Sequence, residues 1–414
     1  MDENFEDYYE EDEEEQMELA QAALDRGEDE TALDLAEECL ETNPLSVEAL
    51  NLCAVASANL GDTAKSLALY RKALRLDPKN GALHHNYGVL VEQLGRYEEA
   101  YRHFERSLEL QPDFPEAYIN LGNVLDELDR TEEALQMYQH ALHRLPDSPD
   151  IYYNLGYALN RLNRFEEARM NFTTALQLNP RDVASMNGLG YALAGLGQDA
   201  EALQHYDAAI EQDPSVATYH YNRGLSLLRL EEQEAALGAF EQALELDGEF
   251  FEAWIERGHL LAELQRFSES LESLKRAEDL DPGSPDPSFY RGMVLERMGD
   301  LEGALSSLNE SLDKQPDSPF TLNNKGNVLM DLGRLDEALG CFDRIIEHSN
   351  QYPLAFYNRA CVMALKGETE QSVQALEQAA SLESQFLKDA AADPDFDKIR
   401  QESRFRLLLK KGQL

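Results

Sequence analysis

The sequence predicts an all-α fold, a solenoid of eleven antiparallel helix pairs followed by a C-terminal capping segment, and three observations predict it. A 34-residue period runs from Glu13 to Phe386 without insertion or deletion. Small residues recur in register within that period, and proline recurs near its end. Between these marks the apolar residues fall at the three-to-four spacing of helices.

The repeats begin at residues 13, 47, 81, 115, 149, 183, 217, 251, 285, 319 and 353. Position 8 of every repeat is Gly or Ala, from Ala20 through Gly122 and Gly156 to Ala360. Position 20 is Ala or Ser throughout, and position 27 is small in every repeat except the tenth, which carries Ile345. Small groups at fixed places let two helices cross closely, while the larger residues around them fill the space between pairs. Gly61, Gly95, Gly197, Gly299, Gly333 and Gly367 separate the first helix of a repeat from the second, and a polar residue stands there in other repeats. Eight repeats carry proline at position 32, among them Pro44, Pro78 and Pro112, where it ends the second helix. A single pair cannot bury its apolar face, whereas stacked pairs share one extended core.

The two ends depart from the period. Residues 1–12 are too short and too acidic to fold alone and are expected as a disordered tail before the solenoid of 13–386. In 387–414, a short helix is expected over Leu387 to Ala392, broken by Asp393 and Pro394. Beyond it Phe396, Ile399, Phe405, Leu408 and Leu409 can cover the last apolar face, making this segment a cap with a tail. Residues 398–411 hold six basic groups against one acidic, a charge that suits contact with the chain's own acidic surface.

Phrases such as AYINLGNVLDELDRTEEALQMYQHALHRLPDS (117–148) and IYYNLGYALNRLNRFEEARMNFTTALQLNPRD (151–182) resemble the tetratricopeptide repeat (TPR) family, and the resemblance covers 374 of the 414 residues. It implies a right-handed superhelix whose first helices line a concave groove, and a role as a protein scaffold. The closing DPDFDKIRQESRF is similar to the segment that follows the last repeat in many bacterial members.

Composition narrows the function classes. Eighty acidic residues against 36 basic ones give a formal charge of −44, and a binder of nucleic-acid backbone would present the opposite sign. The first 15 residues hold ten carboxylates, so most of the excess belongs to the folded body. Eleven lysines against 25 arginines, with acid spread over the body, resembles proteins of halophilic organisms, in which molar salt screens self-repulsion. The unfolding midpoint is then expected to rise from dilute buffer to molar salt. No apolar run is long enough to span a bilayer and the start is acidic where a secretory signal is basic, so a soluble, cytoplasmic protein without a membrane partner is expected. Cys39, Cys53, Cys341 and Cys361 lack metal-site spacing and are expected as packed thiols.

Positions 2, 5, 6, 9 and 13 share one face of each first helix. Position 6 is Asn86, Asn120, Asn154, Asn222, Asn324 and Asn358, interrupted by Gly188, Glu256 and Tyr290. An amide offers both donor and acceptor, which suits the backbone of an extended peptide. The series resembles the asparagine ladder of the peptide-binding superhelix in the O-glycosyl transferases that modify Ser and Thr. The competing reading is that these amides bridge adjacent helices. Tyr153, Tyr157, Tyr191 and Tyr221, at positions 5 and 9, could grip peptide side chains or pack between repeats. Position 7 is Leu121, Leu155 and Leu189, then Arg223, Arg257, Arg291, Lys325 and Arg359; these cations either pair with local carboxylates or form a stripe for an acidic ligand. Positions 2, 5 and 6 carry no Lys or Arg, against the terminal-carboxylate grip of chaperone-binding TPR members.

No phosphate loop, serine elbow or HExxH motif occurs, and the segments flanking the array are too short for a catalytic domain, so neither enzyme activity nor a cofactor is expected. The sequence therefore favours a scaffold that holds a protein or extended peptide in its groove. A self-associating, homo-oligomeric solenoid and an acidic chaperone for basic proteins are the alternatives.

Overall fold

A computed structural model describes residues 15–411; the acidic segment 1–12, expected as a disordered tail, lies outside the described residues. Every regular element among the described residues is helical, and none is long and apolar enough to cross a membrane. The chain divides into two units, Met1–Pro214 and Ser215–Leu414.

In the first unit a helix over 15–25 precedes Asp29–Thr42. The next pairs are Val47–Asn59 with Thr63–Leu76, Gly81–Gln93 with Tyr97–Leu110, and Pro115–Glu127 with Thr131–Arg144. Pro149–Arg161 with Phe165–Leu178 and Val183–Gly195 with Asp199–Gln212 complete it. The first helices after the opening one span 13 residues and the second helices 14, so both sets begin at fixed places in the 34-residue period.

The turn inside each repeat is set by one backbone position. Residue 15 of all eleven repeats has a positive φ, with glycine in seven and Asp129, Asn163, Glu231 and Gln265 in the other four. The next N–H reaches back five residues, as in Asp62 to Ser57 (2.8 Å) and Arg130 to Leu125 (2.8 Å), closing a Schellman cap. Second helices end one residue before position 31, whose backbone is extended at Asp77 (φ −129°, ψ 85°) as a following proline requires.

The small positions are where the helices meet. A Cβ added at Gly122 would collide with the Tyr138 ring, and one at Gly156 would lie 2.8 Å from the Phe172 ring. Position 8 thus admits the bulky residue 16 places later, and Phe172, Tyr138 and Tyr206 are fully or almost fully buried. Full burial of such a side chain contributes about 1.5–3 kcal/mol. Where position 20 is serine its hydroxyl donates to the position 8 carbonyl: Ser66 to Ala54 (2.6 Å), Ser270 to Gly258 (2.6 Å) and Ser372 to Ala360 (2.9 Å).

The second unit repeats this plan from Ala217–Arg229 to Thr369–Leu382, with Phe251–Glu263, Asp286–Arg297, Pro319–Asp331 and Pro353–Lys366 as its other first helices. Helix Phe386–Ala392 stops at Asp393, a 3-10 turn spans Pro394–Phe396, and Ser403–Lys411 closes the described chain. Phe396, Ile399, Phe405 and Leu408 are buried against Phe356, Ala360 and Leu376, with Leu409 packed at the margin.

Candidate functional site

A cavity of about 560 Å³ opens among the first helices of the third, fourth and fifth repeats. Helix Gly81–Gln93 contributes Glu92 and Gln93, and Pro115–Glu127 contributes Asn123, Asp126 and Glu127. Pro149–Arg161 contributes Tyr153, Asn154 and Tyr157, while Tyr97 and Tyr138 reach it from the second helices. Positions 5, 6, 9, 12 and 13 meet here because the helical period returns them to one face.

Its floor is a fixed polar network. The Tyr138 hydroxyl donates to Asn123 Oδ1 (2.9 Å), and Asn154 Nδ2 donates to the same oxygen (3.3 Å). Thr131 donates to the buried Asp126 carboxylate (2.8 Å). Arg161 spans one repeat to meet Asp126 Oδ1 (3.0 Å), the Asp126 carbonyl (2.6 Å) and Asp129 (2.6 Å). Asp126 is therefore neutralised within the fold. Glu92 and Glu127 differ: among the described residues neither side-chain carboxylate has a hydrogen-bond or ion-pair partner. Burial, then the charge of Glu127, pushes the Glu92 carboxyl up to about 7. The Tyr153 and Tyr157 rings lie 6.3 Å apart at 28°, and Tyr157 is 51% exposed.

The other residues singled out from the sequence are distributed differently. Asn86 donates to Asn51 (3.0 Å), and Asn120 donates to His85 Nε2 (3.0 Å). With Nε2 accepting, the His85 proton sits on Nδ1 and is directed at Asn86 Oδ1 (3.2 Å), a neutral tautomer that burial favours by lowering the imidazole pKa. These amides bridge neighbouring first helices. In the second unit Asn358 bridges in the same way to Asn323 (2.8 Å) and Asn327 (3.3 Å), and Asn324 turns back to the Phe320 carbonyl (2.9 Å). Asn222 is buried. Tyr221 packs between Phe240 and Phe250, with ring centroids 5.9 and 4.8 Å away. Tyr191 is 46% exposed and meets the edge of Phe165.

The position 7 cations Arg257, Arg291 and Arg359 close ion pairs with neighbouring second helices. Arg257 meets Glu241 (3.0 Å), Arg291 meets Glu278 (2.6 Å) as well as Glu310, and Arg359 meets Asp343 (2.7 Å). All four cysteines are buried thiols outside any disulfide. Cys361 shares a small cluster with Asp393 and Asp395, but burial followed by the charge of Asp393 pushes its thiol up, and Tyr357 already donates to Asp393 (2.6 Å). That cluster reads as packing of the cap.

Sequence reading alone did not select Glu92, Asp126, Glu127, Tyr97 or Tyr138. The signal was present for the acidic three, since positions 12 and 13 continue the face of positions 5, 6 and 9 one turn onward.

The chain was compared with known proteins. Tetratricopeptide repeat profiles match residues 17–81, 153–217, 221–285, 257–319 and 323–393 in one form, and 80–147 and 127–170 in two others. No curated protein matches significantly in sequence. Among solved structures, yeast Tom70 shares 16% identity over 98% of this chain and 99% of its own, with a TM-score of 0.49. Cut9–Hcn1 of the APC/C shares 13% over 95% of each chain, with a TM-score of 0.49. YrrB, a TPR protein with an unusual peptide-binding site, shares 25% over 45% of this chain and 97% of its own, with a TM-score of 0.39. With one profile matching well over half its length, the chain belongs to the tetratricopeptide repeat family, whose members are typically non-catalytic scaffolds that bind proteins or peptides.

Proposed function

We propose that this protein holds an extended segment of a partner along the first-helix face of its first unit, centred on the cavity of the third to fifth repeats. The observation that carries the reading is the cavity, about 560 Å³, into which Tyr153, Asn154 and Tyr157 converge. Its size suits a few residues of a peptide, and its lining combines ring faces with amides. Asn154 spends one N–H on Asn123, which leaves its second N–H and its carbonyl for a peptide backbone.

Asn86 and Asn120, bridged to Asn51 and His85, form the wall of this face in this reading. Tyr153, Asn154 and Tyr157 are then the contact residues. Affinity capture from a host lysate at its native salt, comparing wild type with the combined Asn154→Ala and Tyr157→Ala variant, tests this once equal helicity and unfolding midpoint are established. Selective loss of a partner supports the reading. An unchanged set of partners moves binding to another face, and capture of only further copies of the chain favours self-association.

A further inference from the structure

We propose that the cavity of the third to fifth repeats receives a basic side chain, lysine or arginine, from the partner segment, with Glu92 and Glu127 as counter-charges and the Tyr153 and Tyr157 rings as its walls. This deepens the reading above and rests on it. Two features of the cavity lead here. The first is unspent charge: Asp126 is matched by Arg161, whereas Glu92 and Glu127 line the same space without a partner among the described residues. A cation entering between them relieves the repulsion of two carboxylates and restores what burial has cost Glu92. The second is the aromatic lining, since ring faces attract cations and pack against the methylenes of long basic side chains.

The chain uses this combination on its own Arg130 and Arg144. The Arg130 guanidinium lies 4.7 Å from the centroid of the Tyr101 ring while it pairs with Glu133 (2.8 Å). Arg144 lies 4.7 Å from that of Tyr118 and meets Asp113 (3.3 Å). In both, a tyrosine face and a carboxylate together hold one guanidinium. The cavity presents the same pair of groups with no internal arginine between Glu92 and Glu127. An acidic peptide is disfavoured there by the same charges.

The test is selection of a displayed random dodecapeptide library on the full-length chain, followed by anisotropy titrations of synthesised winners. The expected winners share a basic residue. Replacing it with neutral citrulline or norleucine weakens binding roughly tenfold, and the Glu92→Gln, Glu127→Gln double variant shows the same loss with no further effect of the peptide change. Winners without a shared basic residue, or a citrulline effect that survives in the double variant, overturn this assignment while the peptide-holding reading stands. No winners at all overturns both. A double variant with wild-type helicity and an unfolding midpoint no lower than wild type separates lost recognition from lost folding, and Asn154→Ala weakening every winner alike reports the backbone contact independently of the charge.

Discussion

The same register positions produce an open cavity in one unit and a closed one in the other. In the first unit, the space between positions 9, 12 and 13 of the fourth repeat and positions 5, 6 and 9 of the fifth belongs to the cavity of about 560 Å³. In the second unit, His259 and Ala262 of the eighth repeat face Tyr290, Met293 and Arg297 of the ninth around a void of about 10 Å³. The scaffold linkage is shared. Arg161 donates to the carbonyl of Asp126 (2.6 Å), and Arg297 donates to that of Ala262 (3.3 Å), each 35 residues back. Positions 9 and 12 differ, Asn123 and Asp126 against His259 and Ala262, and so does position 6. Asn154 is short and leaves room, whereas the Tyr290 ring fills the gap and packs on His259 (5.2 Å) and Phe289 (5.2 Å). Recognition chemistry in such an array is thus written by single side chains on an unchanged backbone period.

The strongest way to break the contrast is through the packing beneath the open cavity. Gly122→Ala places a Cβ against Tyr138, the ring that anchors Asn123, and is expected to destabilise the fourth repeat by about 1–3 kcal/mol in urea unfolding followed by hydrogen exchange. Gly238→Ala, an exposed helical site with nothing within 4 Å, is the control and gains about 1 kcal/mol.

Exchanging the position 6 residues sharpens the contrast directly. Asn154→Tyr is expected to close the first cavity and weaken selected peptides roughly tenfold or more in anisotropy titrations, while Tyr290→Asn leaves their affinity unchanged.

The pH response follows from Glu92, raised from its ordinary 4.5 to about 7 by burial and then by Glu127. The groups facing it are Glu127, Asp126 held by Arg161, Gln93, and the phenols of Tyr97, Tyr138 and Tyr157. Below about pH 7 the carboxyl is neutral and offers a cation little, so affinity for a basic peptide should rise several-fold from pH 6 to pH 8 and flatten in Glu92→Gln. Stability without ligand moves the other way. The folded state binds the Glu92 proton more tightly than the unfolded chain, so its contribution is present below pH 4.5 and is lost as pH rises through about 7. Unfolding midpoints of wild type and Glu92→Gln across that window check the sign.

The smallest expected effect concerns the turns, which the two units share. Gln265 holds a φ of 60° where seven other repeats use glycine. Gln265→Gly should gain about 0.5–1 kcal/mol by relieving the left-handed strain, and Gly95→Gln should lose a similar amount.

Much of this architecture was legible in the residues. Position 8 glycines, position 15 turn residues and position 32 prolines act through local sterics, so their spacing alone places each helix to within a residue or so. Phe396, Ile399 and Phe405 are buried against the last repeat. The asparagine ladder was only half legible. Its break at Gly188 arises in the preceding repeat, where the Phe172 ring lies so close that a Cβ at residue 188 would sit 2.5 Å from it. Asn120 and Asn154 both bridge to the first helix one repeat before, to His85 in one case and Asn123 in the other, and only Asn154 also lines the cavity.

The sequence by itself determined the all-α repeat, its period, the helix ends and the acidic character, since these follow from backbone propensity and composition summed over many copies. Only the tertiary structure decided that, among the described residues, Glu92 and Glu127 stand without counter-ions beside Tyr153 and Tyr157, while Arg161 and Arg257 are consumed internally. The physical reason is that charge pairing and cavity volume depend on distances of a few ångströms between side chains about 16 to 65 residues apart, which a repeat pattern leaves free to vary.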